Sequence, residues 1–191
     1  NNAGAEIHID RVPNGIVSTN TFTNAGLIKI GANASLTASG IDNTSSGTFH
    51  NNTGGLIQID RTGGTQAFKT SGVVNNEATI EIGSTAAVTG QGLYIESGTG
   101  IFNNKTGSLL TINLSTVWGM ENKGTLDNSG TIRVGNIASA GAICIVHRNG
   151  GTFNNKTGGA IYMDRTTAGG QAFYSSGLVN NQGSIDRKSV V

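Results

Sequence analysis

The chain writes TFHNNTGG at residues 48–55 and TFNNKTGG at 152–159. A chain that repeats itself at a fixed period builds its fold by stacking the repeats, so this self-similarity constrains the architecture more than any other feature. The octamers belong to a longer set: TFTNAGLIKI (21–30), TFHNNTGGLIQI (48–59), VVNNEATIEI (73–82), IFNNKTGSLLTI (101–112), TLDNSGTIRV (125–134), TFNNKTGGAIYM (152–163) and LVNNQGSI (178–185). NNAGAEIHI, at the start, is one more copy without its front, which makes eight.

Three columns run through the copies. An apolar residue leads each complete one: Phe22, Phe49, Val74, Phe102, Leu126, Phe153 and Val179. Two residues later stand Asn24, Asn51, Asn76, Asn104, Asn128, Asn155 and Asn181, with Asn2 expected to take that place in the partial copy. Two residues before the apolar column stand Gly47, Gly72, Gly100, Gly124, Gly151 and Gly177, while the earliest copy has Asn20. Since Asn shares the tolerance of glycine for positive φ, this column is expected to mark sharp corners. Successive Asn positions differ by 22 to 28 residues.

Each Asn is followed by a turn and then by alternating apolar residues such as Ile28/Ile30, Ile57/Ile59, Ile80/Ile82 and Ile132/Val134. Period-two alternation of β-branched residues is the signal of a half-buried strand. A third apolar cluster, containing Phe68, Met120 or Phe173, closes the copy. Three short strands in about 25 residues, with no helical period, predict an all-β fold: a right-handed single-stranded parallel β-helix of about eight coils of 22–28 residues. A propeller blade needs a longer repeat, a leucine-rich repeat needs its leucines, and collagen needs glycine at every third position. A second period lies on top. Asp10, Asp60, Asn113 and Asp164 follow the alternating strand in one kind of coil, and Gly31, Gly83 and Gly135 in the other. The repeating unit is therefore expected to be a pair of coils.

Composition narrows the function classes. Only 12% of residues are charged and the formal net charge is +1, which is no footprint for nucleic acid or an anionic membrane. No apolar run reaches the ~20 residues of a membrane helix. The single Cys144, in AICIV, forms no internal disulfide and reads as an inert packed thiol. The end of the chain, DRKSVV, ignores every column and is the translation of a common sequencing-library adapter. Residues 1–185 are thus expected to be a β-solenoid portion of a longer chain, and 186–191 a non-native tail from a gene read out of environmental DNA.

The pairs Asp10–Arg11, Asp60–Arg61 and Asp164–Arg165 are the most suggestive chemistry. Asp10 and Asp60, two coils apart at ~9.6 Å, fall at the edge of the spacing of an inverting glycosidase pair. The pattern recurs, however, whereas an active site breaks a repeat once. A recurring strand-end Asp is expected to bind turn amides. Trp118, in STVWGMENKG, breaks the local pattern and is either a ligand platform or packing. His8, His50 and His147 lie in different columns, so they are read as exposed and no metal site is expected. The Asn-Lys-Thr glycosylation motifs at Asn104 and Asn155 are products of composition. No catalytic residue and no cofactor is expected.

To about Ile185 the chain resembles the Asn/Gly/Thr-rich β-helical repeats of large secreted or surface-displayed bacterial proteins, including adhesins, haemagglutinin-like proteins and autotransporter passengers. TGGLI (53–57) and TGGAI (157–161), after FHNN and FNNK, are similar to the GGAI and FxxN repeats of chlamydial polymorphic outer-membrane proteins, with Lys in place of the motif's Asn in the second copy. The resemblance implies an extracellular or cell-surface location and a structural or adhesive stalk without enzymatic activity. Its implied partners are glycans or other surface proteins, with no nucleic acid and no membrane insertion by this segment. Two other functions fit the same repeat: part of a carbohydrate-active β-helix enzyme, and an ice- or surface-binding solenoid, against which the lack of a Thr-x-Thr ladder argues.

Overall fold

The computed structural model describes residues 1–187. Every strand in it is parallel to its neighbours, and the strands form three sheets of eight, seven and seven strands with no helix among the described residues. The chain visits the sheets in rotation. Coil 1 is Glu6–Ile9, Ile16–Ser18 and Thr21–Asn24; coil 2 is Leu27–Ile30, Ile41–Asn43 and Thr48–Asn51. Seven such turns and one further strand, Ser184–Arg187, make a parallel β-solenoid. The count is about seven rather than eight because the first and last copies are each incomplete. Asp186 and Arg187 finish the last strand, opposite Tyr162 and Met163. The remaining tail residues lie outside the described ones.

Register follows the sequence columns. Ile28 pairs with Ile57, Ile57 with Ile80, and Ile80 with Leu110 in the first sheet. In the third sheet Phe49 pairs with Val74, Val74 with Phe102, and Phe102 with Leu126. Period-two alternation sends these side chains inward, where they are fully buried. Slipping any strand by one residue would expose its apolar set, so burial fixes the register.

The second sheet is built differently. At each of its five inner strands two adjacent residues turn inward, a small one and then a large one: Gly40, just ahead of its strand, with Ile41, then Ala67–Phe68, Gly92–Leu93, Gly119–Met120 and Cys144–Ile145. A side chain on Gly92 would collide with Ile112 and the carbonyl of Gly119; one on Gly119 would collide with Val134 and the carbonyl of Cys144. The small column therefore makes room for the last Ile or Val of the first sheet.

Side chains as well as backbones join the coils. Asn24 Nδ2 donates to Asn51 Oδ1 at 2.9 Å, and the same bond recurs from Asn51 to Asn76, Asn104, Asn128, Asn155 and Asn181 at 2.8–2.9 Å. The head of this ladder is Asn1, which donates to Asn24 at 2.9 Å, and not Asn2. Asn2 occupies the next position, where its carbonyl accepts from Ala5 as that of Asn52 accepts from Gly55. The slip has a local cause: the connection after Asn1 is the longer of two kinds. Long connections follow Asn1, Asn51, Asn104 and Asn155 and place Gly4, Gly54, Gly107 and Gly158 at φ of +75 to +87°. They alternate with short ones after Asn24, Asn76, Asn128 and Asn181, which gives the two-coil period a structural basis.

The column Gly47, Gly72, Gly100, Gly124, Gly151, Gly177 is glycine for a reason other than the one expected. Neither these residues nor Asn20 has positive φ. They lie flush against the preceding coil: a Cβ on Gly72 would strike the carbonyls of Thr44 and Gly47, and one on Gly124 those of Glu96 and Gly100.

Candidate functional site

The Asp-Arg pairs join coils to one another. Asp10 accepts the backbone N–H groups of Asn33 and Ala34 and the Asn33 side-chain amide at 3.1–3.3 Å. Burial pulls its carboxyl pKa up, but these donors outweigh burial and hold it below the ordinary value. Asp60, 5% exposed, accepts from the backbone of Thr85 and Ala86 and from the Thr85 hydroxyl at 2.7–3.2 Å. Asn113 does the same with Ile137 N–H at 3.1 Å. Asp164 occupies the equivalent buried position in coil 7. The arginines reach the other way. Arg61 donates to the carbonyls of Gly31 and Ala32, and Arg165 to that of Asn136 at 2.8 Å. The Asp60–Arg61 pair thus ties its own coil to the one before and the one after, whereas Arg165 reaches back and neither oxygen of the buried Asp164 meets a hydrogen-bond donor among the described residues. Arg11 and Arg61 take left-handed backbone at φ 62° and 47°, which turns the chain sharply after the Asp. Arg11 is exposed.

A set of unlike groups converges elsewhere, on the outer face of the second sheet. Glu121, on Trp118–Asn122, is only 3% exposed although it points away from the core. Its Oε2 accepts from Gln91 Nε2 at 2.6 Å, and its Oε1 from Arg148 Nε at 2.9 Å. Lys123 Nζ stands 3.7 Å from the same Oε1. The Arg148 guanidinium lies 5.0 Å from the ring centroid of Trp118 and 5.7 Å from that of Tyr174. Lys123 lies 5.1 Å from the ring of Tyr94, whose hydroxyl donates to Glu96 at 2.9 Å. Burial and the Glu96 carboxylate raise the phenol's pKa; for Lys123, Tyr94 and Glu121 outweigh burial and raise the ammonium's, keeping it charged.

Of the sequence candidates only Trp118 belongs to this cluster. Gln91, Tyr94, Glu121, Lys123, Arg148 and Tyr174 escape a column reading because residue type changes along each column: Tyr94, Glu121, Val146 and Tyr174 share one register position, and Lys123 and Arg148 share another. The available signal was the loss of regularity: the outward places taken by Gln66 and Lys69 in coil 3 hold Trp118 and Glu121 in coil 5.

The remaining candidates are structural. Cys144 belongs to the small column, 1% exposed, with its thiol directed at the carbonyls of Val134 and Arg165. Burial, with the nearby Asp164 charge, pushes it up to about 12. His147, expected at the surface, is fully buried. It accepts from Asn122 Nδ2 at 3.2 Å through Nδ1 and donates from Nε2 to the Leu178 carbonyl at 3.0 Å, where a polar row closes the second sheet. Asn104 and Asn155 are ladder residues, buried to about 1% exposure or less, so their glycosylation motifs are sterically closed. The outer face of the third sheet carries a second amide row, Asn103 to Asn75 at 3.0 Å and Asn180 to Asn154 at 2.8 Å, interrupted by an Asp127–Lys156 pair at 2.7 Å. Among the described residues no three His, Cys, Asp or Glu side chains gather as a metal site. No helix among them is long and apolar enough to cross a membrane.

No protein-family model, no curated protein and no solved structure matches the chain.

Proposed function

We propose that this chain is a non-catalytic, rigid segment of an extracellular bacterial surface protein, a stalk that spaces and displays its faces. The observation that carries the reading is the Asn ladder, continuous from Asn1 to Asn181 through every coil. Stacked amides inside a parallel solenoid tie each coil to the next at ~4.8 Å per step, and a repeat array of this kind gains length without changing its surface plan. The extracellular bacterial setting rests on the resemblance of the repeats.

Three of the carboxylates support the non-catalytic part; Asp164, by contrast, is buried with neither oxygen hydrogen-bonded among the described residues. General acid–base chemistry needs groups free to exchange protons with a substrate. Asp10 and Asp60 are engaged by turn donors of the following coil, and both oxygens of Glu121 are held by Gln91 and Arg148. The test is to incubate the purified chain with a panel of acidic and neutral polysaccharides and follow reducing ends and unsaturated products. The expected result is no turnover; cleavage that disappears in Glu121→Gln would overturn the proposal in favour of a carbohydrate-active enzyme.

A further inference from the structure

The cluster around Glu121 breaks a fold that is otherwise made of ladders. Its central group is Arg148, whose side chain is 36% exposed. One edge of the guanidinium is spent: Nε donates to Glu121. Trp118 and Tyr174 stand beside its plane. The two terminal nitrogens have no acceptor among the described residues, and they carry four N–H donors. A guanidinium fixed at its Nε and held between rings keeps its outer donors in a preset fork that matches a carboxylate. Lys123, also 36% exposed, supplies a second cation on the same Glu121 oxygen. Tyr174, 40% exposed, and the partly exposed Trp118 add aromatic surface of the kind that packs on sugar rings.

We infer that this face of coils 4 to 7 is a binding site for a carboxylate-bearing saccharide. Arg148 takes the carboxylate through its outer nitrogens, Lys123 adds charge, and the edges of Trp118 and Tyr174 pack against the sugar ring. Glu121 and Gln91 are positioning residues: they hold Arg148 and keep the site close to charge balance, so a neutral sugar ring bearing one anionic group suits it better than a dense polyanion. The inference rests on the stalk reading, since this is one of the faces that the rod displays.

The test is titration calorimetry on the whole chain with three probes: a hexasaccharide of neutral sugars carrying a single uronic acid, the same hexasaccharide with that carboxyl reduced to the neutral sugar, and inorganic sulfate. The expected result is binding of the acidic hexasaccharide, at least tenfold weaker binding of the reduced form, and no measurable binding of sulfate. Arg148→Lys keeps a cation for Glu121 but loses the fork and should weaken binding at least tenfold; Trp118→Ala should weaken it several-fold. Arg61→Gln, outside the cluster, should leave binding unchanged. Thermal melts of each variant report whether it is folded. Equal binding of the acidic and reduced sugars, sulfate binding as tight as the sugar's, or no binding by the folded chain would each overturn the inference. The stalk reading fails by a different result, turnover of a polysaccharide.

Discussion

At the scale of the residue, adjacent asparagines have opposite fates. Asn103 faces solvent and bonds to Asn75, whereas Asn104, one residue on, is buried and makes four side-chain bonds, to Asn76, Ser108, Asn128 and the Thr131 carbonyl. Asn104→Ala orphans buried donors and acceptors at ~1–3 kcal/mol each, so it should cost about 2–4 kcal/mol, while Asn103→Ala should stay within ~0.5 kcal/mol. Urea unfolding of the two variants checks the difference. Both asparagines stand in the repeat, and only the alternation with Phe102 tells which of them points inward. That rule was legible wherever a complete copy supplied the apolar leader; it failed at Asn1, whose copy has none. Cys144 gives a second prediction. Its folded pKa lies above the unfolded 9.0 because burial disfavours the thiolate, so the stabilising effect of the neutral thiol is fully present below pH 9 and is lost as pH rises toward about 12. Over that window the wild type should lose stability faster than Cys144→Ala, by up to about 1.4 kcal/mol per pH unit. At neutral pH the variant should stay close to the wild type, because Ala67 occupies the same column. Denaturation midpoints of both proteins from pH 8 to 11 measure it.

At the scale of the element, the connections carry as much specificity as the strands. Asp60 completes the turn of the following coil by accepting from Thr85 and Ala86, and Asn113 shows that an amide oxygen serves at the equivalent place. Asp60→Asn should therefore cost under ~1 kcal/mol, and Asp60→Ala about 2–3 kcal/mol, because the latter leaves two turn amides without an acceptor. A shift in urea midpoint at constant slope would report a pure stability change; equal losses in the two variants would mean that the charge, rather than the acceptor, matters. The strand-end Asp column was legible because it recurs. The small-then-large pairs of the second sheet were not, since glycine before an apolar residue also reads as a turn and the loops ahead of these strands vary in length. The Glu121 cluster was hidden for a third reason. Its members come from Gln91–Ile95, Trp118–Asn122, Gln171–Ser175 and the connections after Trp118–Asn122 and Ile143–His147, and only stacking brings them together.

At the scale of the whole molecule, the alternation of long and short connections makes the pair of coils the structural unit. Long turns follow Asn1, Asn51, Asn104 and Asn155, and their αL glycines project beyond the rest of the turn: no atom lies within 4 Å of a Cβ built on Gly4, Gly107 or Gly158. Short turns instead press against the coil before, where a Cβ on Gly130 would strike the carbonyls of Lys105 and Ser108. A short turn thus expects a long one beneath it. Deleting residues 52–104 removes two coils and joins Asn51 to Lys105, which recreates the long connection that Asn104 makes in the intact chain. The shortened protein should unfold in one cooperative transition and lose ~9.6 Å of length, two strand spacings. Deleting residues 52–76 removes a single coil, joins Asn51 to Glu77 and stacks one short turn on another. It also sets Asp10-type and Gly31-type strand ends out of alternation, so that Asn33 and Ala34 of coil 2 are followed by a coil ending in Gly83 where Asp60 and Arg61 stood. Because nearest-neighbour interfaces carry the stability of a solenoid, a mismatch at one interface should weaken the whole short array. Small-angle scattering gives the lengths and urea unfolding the stabilities. If the one-coil deletion proved as stable as the two-coil deletion, the single coil would be the unit and the alternation would be incidental.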